Sequence, residues 1–264
     1  MLLSQSNIVG QSRYWKKLWE HYPCCPSIVL CRVPELEFAA QLNLNGQALD
    51  HCCGDGRFAS LAWPGTSIAA GCDIDSSSTR QALQRGGHAR IDCCDASKEL
   101  PYQANTFSLV FNNSAFEHIL DLPAALESVA RVIAPSGTLA FNVLNHRYFD
   151  WWPLDKQAMA AYREWQPFFH ALSIDEWRQR LDAVGLEITS YEGYFDRQAA
   201  AELAYLDYEF SGHALHKRPS RLASTFERYP RALRFYWRRR LARLTWKTEP
   251  DAGAGYFIQA RKKA

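Results

Sequence analysis

Three carboxylates follow predicted strands at nearly equal intervals along the chain, namely Asp50, Asp73 and Asp95. The carboxyl ends of parallel strands meet at one edge of a sheet, so these side chains are expected at the same edge. A carboxylate at the second strand end can accept both hydroxyls of a ribose, and Ile74 beside it can pack on an adenine. Asp95 can accept the exocyclic amine of that adenine, or it can cap the turn that follows. The spacing therefore predicts a nucleoside-binding site.

A glycine turn, Gly54-Asp55-Gly56, lies between the first predicted strand and the next helix. Glycines let the backbone approach a ligand closely, and they leave the amides of the helix N-terminus accessible. With Ala59 the turn also satisfies the dinucleotide fingerprint, so a nicotinamide-dependent oxidoreductase is the competing interpretation. Asp50 and Asp55 would repel a pyrophosphate, which binds best where no carboxylate is near. They suit a ligand that carries a sulfonium and an ammonium, which favours S-adenosylmethionine.

The segment after the fourth predicted strand holds the candidate catalytic groups, Glu117 and His118, preceded by Asn112. Methyl transfer from a sulfonium is a direct displacement in which the protein aligns the reactants and excludes water. A weak nucleophile such as a hydroxyl also needs a base, and His118 is the first candidate, with Glu117 second. The alternative is that both residues only orient the start of a helix. His146, Asp150 and His170 could also line an acceptor pocket. Tyr14 and Trp15 could close over the cofactor, or they could belong to a packed amphipathic helix.

Strands and helices alternate through most of the chain. Strands are predicted at 48–52, 67–74, 88–94, 107–111, 138–143, 186–194 and 255–262, and helices at 10–22, 33–42, 57–62, 76–84, 123–133, 155–166 and 173–184. A turn is predicted at residues 135–137, and Ser173 with Glu176 three residues later predicts a capping box at the start of the helix at 173–184. This alternation predicts an α/β fold with a doubly wound, mostly parallel, seven-stranded sheet and helical cap insertions. We expect one domain, with an N-terminal helical lid (1–45), the core sheet (46–195), a helical insertion (196–247) and the last strand (248–264).

The composition is that of an ordinary globular protein, with 264 residues of which 47% are hydrophobic and 22% charged. Eight cysteines lie within the first 94 residues, six of them in adjacent pairs. That arrangement is neither a disulfide framework nor a CxxC zinc pattern, so we expect reduced, buried thiols and no metal site. The absence of a signal-like N-terminus and of a long apolar run favours a cytoplasmic protein.

The segment 228–247 is strongly basic, with a single acid, Glu227, beside it. Its apolar residues recur at helical spacing and are Leu233, Trp237, Leu241 and Leu244. A basic amphipathic helix of this kind can lie on an anionic membrane, and it can also hold an anionic substrate such as a phosphorylated or lipid-linked sugar. A helix packed on the sheet with a solvated basic face is equally consistent with the pattern. We expect no nucleic-acid partner, because no other segment shows a comparable basic cluster.

Taken together, residues 48–144 resemble the class I S-adenosylmethionine-dependent methyltransferases, in their small-molecule branch. The segments that carry the resemblance are Leu49-Asp50-x-x-Cys53-Gly54-Asp55-Gly56-Arg57-Phe58, Gly71-Cys72-Asp73-Ile74, Asp95-Ala96, Leu100-Pro101-Tyr102, Phe111 to Ile119 with its Glu-His pair, and Arg131 to Gly137. Weaker similarity continues through Phe169-His170, Trp177 and Ala183 to Leu186. The first glycine of the family's loop is replaced by Cys52, and an acid common in the family is replaced by Ser108.

The resemblance implies a Rossmann-like methyltransferase fold, S-adenosylmethionine as cofactor and a small-molecule acceptor. It favours a sugar or a lipid-linked glycan of the cell envelope as that acceptor. The residues it assigns to the cofactor are Asp50, Cys52, Gly54, Gly56, Asp73, Ile74, Asp95, Ala96 and Asn112. His118 and Glu117 are the residues it places at the methyl group. A non-catalytic protein that binds the same cofactor is the remaining alternative.

Overall fold

A computed structural model describes residues 7–214 and 219–263. Within these ranges the chain forms two compact units, and each is described by itself. The sheet unit comprises residues 38–145, 169–191 and 256–263. The helical unit comprises the described residues up to 37, then 146–168 and 192–255. Part of the predicted helical insertion, residues 215–218, lies outside the described residues.

The described residues contain one sheet. Its strands are β1 (Ala48–His51), β2 (Ala70–Asp73), β3 (Ile91–Cys93), β4 (Phe107–Asn113), β5 (Ile133–Leu144), β6 (Leu186–Tyr194), β7 (Lys247–Thr248) and β8 (Gly255–Lys262). Their order is β3-β2-β1-β4-β5-β8-β6-β7, and the pairs β1–β2, β1–β4, β2–β3 and β4–β5 are parallel. The strand order reverses at β1, which lies between β2 and β4. In such sheets the crevice at this point is where ligands bind.

The predicted doubly wound, mostly parallel sheet is confirmed, with one strand more than expected. The additional strand, β7, has two residues and pairs antiparallel with the end of β6, within the helical unit. The predicted turn at residues 135–137 instead lies inside β5. Its backbone bulges there, because the pairing with β4 skips from Ile133 to Thr138 and Ser136 has a φ of 61°.

Both units contain helices. They are α1 (Trp15–His21), α2 (Pro26–Ala39), α3 (Arg57–Ala62), α4 (Ser76–Arg85), α5 (Leu122–Val132), α6 (His146–Asp150), α7 (Lys156–Trp165), α8 (Ile174–Ala183), α9 (Arg197–Ala214), α10 (Arg221–Arg228) and α11 (Pro230–Leu241). The α2 helix begins seven residues before the predicted helix at 33–42, because Pro26 occupies a first-turn position where its missing N–H costs nothing. The predicted capping box at Ser173 and Glu176 is present at the start of α8.

The core of the sheet unit lies between the central strands and the helices α5 and α8. Val110 on β4 and Phe141 on β5 are fully buried, as are Phe116 and Trp177. The Phe141 and Trp177 ring centroids are 4.8 Å apart, and those of Phe116 and Phe141 are 5.2 Å apart. This aromatic cluster holds the chain that follows β4 in place, since Phe116 belongs to it.

The strand β8 lies between β5 and β6 in the sheet. Near its end, the Lys262 ammonium donates hydrogen bonds to the backbone oxygens of Ala130 and Ile133 and to the side chain of Asn105. Burial lowers the pKa of Lys262. The end of β8 is thus fastened to the α5–β5 junction by two hydrogen bonds and to the segment before β4 by a third.

Polar contacts join the helices of the helical unit. Tyr162 on α7 donates to the carboxylate of Asp207 on α9 at 2.5 Å. Glu202 on α9 accepts two hydrogen bonds from Arg240 on α11, each of 2.6 Å. None of the helices in the described ranges is long and apolar enough to span a bilayer.

Candidate functional site

The loop that follows β1 is built on left-handed backbone. Three of its residues, Cys52, Gly54 and Gly56, have φ values of 60°, 55° and 73°. Glycine adopts such values without strain, whereas a residue with a Cβ does so at a cost. A Cβ added at Gly56 would lie 3.1 Å from Ala82, so this glycine also allows α3 and α4 to pack closely. A Cβ added at Gly54 would meet no described atom within 4 Å, so the loop faces open space there.

The carboxylate at the end of β2 fixes this loop. One oxygen of Asp73 accepts the backbone N–H of Gly54 at 2.9 Å, and the other accepts that of Asp75 at 3.0 Å. The next side chain, Ile74, is 67% exposed, which is unusual for a large aliphatic residue. An acceptor for hydroxyls and a bare apolar surface therefore stand side by side beside the glycine loop.

The end of β3 contributes a second carboxylate. Asp95 accepts hydrogen bonds from the backbone and hydroxyl of Ser97 at 2.9 and 2.7 Å, and these bonds lower the pKa of Asp95. Both bonds end on the same oxygen, Oδ1, so the capping role expected from the sequence is present and uses half of the carboxylate. Ala96, which follows, is buried. The backbone N–H of Cys94 donates to the backbone oxygen of Asp73 at 2.9 Å and joins the two strand ends.

The two acids at the start of the glycine loop have internal partners that the sequence does not reveal. Asp50 is buried and contacts the imidazole Nε2 of His88 at 2.9 Å, while burial raises the pKa of Asp50. Asp55 lies 3.4 Å from both Arg57 and Arg85. Arg57 and Arg85 therefore partly neutralise Asp55, so that carboxylate repels a pyrophosphate less than the sequence alone indicates.

A buried polar pair joins the ends of β1 and β4. The Asn112 amide donates to Nδ1 of His51 at 2.9 Å, and both residues are fully buried. Burial lowers the pKa of His51 to about 4, so the ring is neutral and its proton lies on Nε2. Among the described residues, neither His51 Nε2 nor Asn112 Oδ1 has a hydrogen-bond partner. Buried polar atoms are normally paired, so this junction has capacity for a polar group from a ligand or a water.

The turn after β4 carries the candidate base. Phe116–His118 form a single 3-10 turn, in which Glu117 is 1% exposed and His118 is half-buried. The backbone oxygen of Glu117 accepts the N–H groups of Phe169 and His170 at 2.9 and 3.3 Å. The His170 ring contacts the backbone oxygen of Ile119 at 3.0 Å, and burial lowers its pKa. His170 therefore lies against the same turn as the two predicted catalytic residues.

The predicted residues thus fall into two groups. The loop, Asp73, Ile74, Asp95, Asn112 and the 116–118 turn all belong to the sheet unit and follow strands at its carboxyl edge. The helical unit contains Tyr14 and Trp15, which were predicted to close over the cofactor, and His146 and Asp150, which were predicted to line an acceptor pocket. His51 and His88 were not predicted. No local sequence pattern indicates their roles, because each has a partner that is distant in the sequence. His51 pairs across strands with Asn112, and His88 contacts a residue 38 positions away.

The arrangement fits S-adenosylmethionine. Asp73 offers an acceptor for ribose hydroxyls, Ile74 an exposed apolar face for adenine, and the loop a cradle open at Gly54. No cluster of three or more His, Cys, Asp or Glu side chains suited to a metal ion occurs in the described part of the chain.

Comparison with known proteins gives a consistent result. The family described as "Methyltransferase domain" matches residues 27–191. The malonyl-[acyl-carrier protein] O-methyltransferase of Salmonella typhimurium is 27% identical over 145 residues, which are 49% of this chain and 57% of that protein. The chain therefore spans little more than half the length of this curated relative.

Two solved structures share the fold. An S-adenosylmethionine-dependent methyltransferase of Thermotoga maritima superposes with a TM-score of 0.58 and 16% identity, covering 98% of this chain and 100% of that one. The phosphoethanolamine N-methyltransferase 2 of Haemonchus contortus, in complex with S-adenosylmethionine, superposes with a TM-score of 0.55 and 17% identity, covering 88% and 52%. With the family match over more than half of its length, this chain belongs to the methyltransferase-domain family.

Proposed function

We propose that the carboxyl edge of β1–β4 binds S-adenosylmethionine, with Asp73 accepting the ribose hydroxyls. The hydrogen bond from Gly54 to Asp73 carries this proposal, because it places the glycine loop against a carboxylate whose neighbour, Ile74, is an exposed apolar residue. Ile74 and Ala96 would then pack on the adenine, and Asp95 would accept its amine through the oxygen that does not cap the turn.

The methionine end of the cofactor is assigned to the loop, from Cys52 to Gly56, and to the β1–β4 junction. Asp50 acts there through His88, since its carboxylate contacts that ring. Asn112 Oδ1 and His51 Nε2, which have no hydrogen-bond partner among the described residues, are available to the polar groups of the methionine end. A neutral His51 donates from Nε2, which suits a carboxylate oxygen.

The bound cofactor supplies a methyl group on a sulfonium, and the protein must align an acceptor with it. The 116–118 turn follows β4, which borders β1 at the point where the strand order reverses. We assign His118 as the base that removes the acceptor proton, with Glu117 as the second candidate. Glu117 is almost fully buried, whereas the half-buried His118 is open to exchange its proton.

For the acceptor, we propose a hydroxyl of a sugar or of a lipid-linked glycan of the cell envelope. A base beside the methyl group is consistent with this, because a hydroxyl is a weak nucleophile. The carboxyl acceptor named for the Salmonella relative needs no base, since a carboxylate is already ionised at neutral pH. His118 therefore contributes to the rate of methyl transfer only if the acceptor group is protonated, as a hydroxyl is.

The test is a transfer assay with radiolabelled S-adenosylmethionine against envelope glycans and malonyl-[acyl-carrier protein], using the native protein and His118→Ala. Transfer to a glycan that falls about 100-fold in the variant, a usual effect of a general base, supports the assignment. Transfer only to the carboxylate, equal in both proteins, would exclude the hydroxyl acceptor.

Peripheral contact of residues 228–247 with an anionic membrane also stays a proposal. Three of the four apolar residues that suggested a membrane-facing side, Trp237, Leu241 and Leu244, are buried. Any contact must then use the opposite side of α11, where Phe235 and Tyr236 are 62% and 50% exposed.

A further inference from the structure

The exposed side of α11 concentrates arginine around one aromatic residue. At 3.6 residues per turn, Arg231, Arg238 and Arg239 surround Phe235, because they lie four residues before it and three and four residues after it. The Arg239 guanidinium lies 5.5 Å from the centre of the Phe235 ring. The buried residues Trp237 and Leu241 lie on the other side of the helix and attach it to the unit.

A cavity of about 460 Å³ opens on this side of the helix. Its lining includes Arg231, Arg234, Arg238, Arg239, Phe235 and Trp15, and it contains no carboxylate. All of these residues belong to the helical unit. Four like charges around one cavity repel each other unless an anion lies between them.

Carboxylates of the described residues do not pair with most of these charges. Among the residues that the structure describes, Arg231, Arg234 and Arg238 have no carboxylate within ion-pair distance, and the Nε of Arg234 is buried without a hydrogen-bond partner. The adjacent cavity differs, because Glu202 there pairs with Arg240 at 2.6 Å. The adjacent cavity still has more positive than negative groups, with Arg239, Arg240 and Arg243 beside Glu202. The cavity lined by Arg231, Arg234, Arg238 and Arg239 differs in having no carboxylate among its described lining residues.

We propose that this cavity binds a phosphate-bearing ligand with an apolar or aromatic portion. The planar guanidinium matches phosphate oxygens through paired N–H donors, so several arginines suit a phosphate or diphosphate better than a carboxylate alone. Phe235 and Trp15 supply an aromatic wall for the rest of the ligand. The same chemistry is offered by a free phosphorylated metabolite and by the headgroup of an anionic lipid. The proposal is independent of the methyl acceptor and of the roles assigned to the sheet edge.

The first probe is inorganic pyrophosphate, titrated calorimetrically into the full-length protein. The cavity variant is the double substitution Arg234→Gln and Arg238→Gln. The matched control is Arg221→Gln and Arg228→Gln, which removes the same charge from exposed positions on α10 outside the cavity. Thermal unfolding and binding of S-adenosylhomocysteine are measured for each protein, so that a folding defect or a failed cofactor site is recognised separately.

We expect pyrophosphate to bind the native and control proteins and to bind the cavity variant at least tenfold more weakly. The second probe, vesicles of phosphatidylglycerol compared with phosphatidylcholine, distinguishes the sources. Co-sedimentation with phosphatidylglycerol that is lost only in the cavity variant identifies a lipid headgroup, and pyrophosphate binding without co-sedimentation identifies a free phosphorylated metabolite. Native protein that binds neither probe, or equal losses in the cavity and control variants, would overturn the proposal.

Discussion

Replacing Asp73 with Asn tests the cofactor site at its most constrained point. The carboxylate accepts two backbone N–H groups, one from Gly54 at 2.9 Å and one from Asp75 at 3.0 Å. An Asn side chain has one oxygen, so in either orientation its NH2 group faces one of these donors. A hydrogen bond to a charged group contributes about 1.5–3 kcal/mol, and about 1.4 kcal/mol corresponds to a tenfold change in affinity. We therefore expect Asp73→Asn to weaken binding of S-adenosylhomocysteine by roughly 10- to 100-fold.

The measurement is a calorimetric titration of S-adenosylhomocysteine into the native protein and the variant. Asp75→Asn is the matched control. Asp75 is the neighbouring acid, but its carboxylate caps α4 through the N–H groups of Ser77 and Ser78. We expect that variant to lower the melting temperature and to leave the affinity unchanged. An Asp73→Asn affinity within twofold of native, with the fold retained, would refute the assignment of Asp73 to the ribose.

Three further outcomes are expected. Cys52→Gly should leave S-adenosylhomocysteine affinity unchanged or tighten it, because glycine adopts a φ of 60° without strain; marked weakening in the titration would show that the thiol contributes to the site. Because burial lowers the pKa of His51 from 6.5 to about 4, the unfolded chain binds more protons between these values, and stability should fall as the pH decreases. Urea unfolding at pH 7 and pH 5 should differ by about 2 kcal/mol more in the native protein than in His51→Gln, and equal differences would count against a neutral ring. His118→Ala should lower kcat without changing cofactor affinity, and a parallel loss of both would indicate a structural role.

Features of this protein that depend on neighbouring residues in the chain could be predicted from its sequence. The acid at the end of β2 and the Ser173–Glu176 capping box are local patterns, and both occur at the expected positions. The alternation of strands and helices sufficed for the doubly wound sheet, because a parallel strand requires a crossover connection.

The features that were missed depend on contacts between distant residues. Nothing near Asp50 or Asp55 in the sequence indicates that His88 and Arg85 become their partners, because α4 and the segment after it must first fold back onto the loop. The sequence likewise could not show whether Trp237 and Leu241 are buried in the protein or face a membrane, since both arrangements require the same helical spacing of apolar residues. The roles assigned at the sheet edge remain predictions.

The position of β8 has a consequence for how the protein is made. In the sheet β8 separates β5 from β6, yet residues 145–254 are synthesised between β5 and β8. At about 5–20 residues per second, a ribosome needs roughly 5–20 s for that stretch. Throughout this interval β5 exposes an unpaired edge, and β6 exposes one as soon as it has been synthesised; both edges can associate with other nascent chains. Synonymous codons that slow translation within residues 195–254 should therefore lower the yield of native protein, and holdase chaperones should restore it.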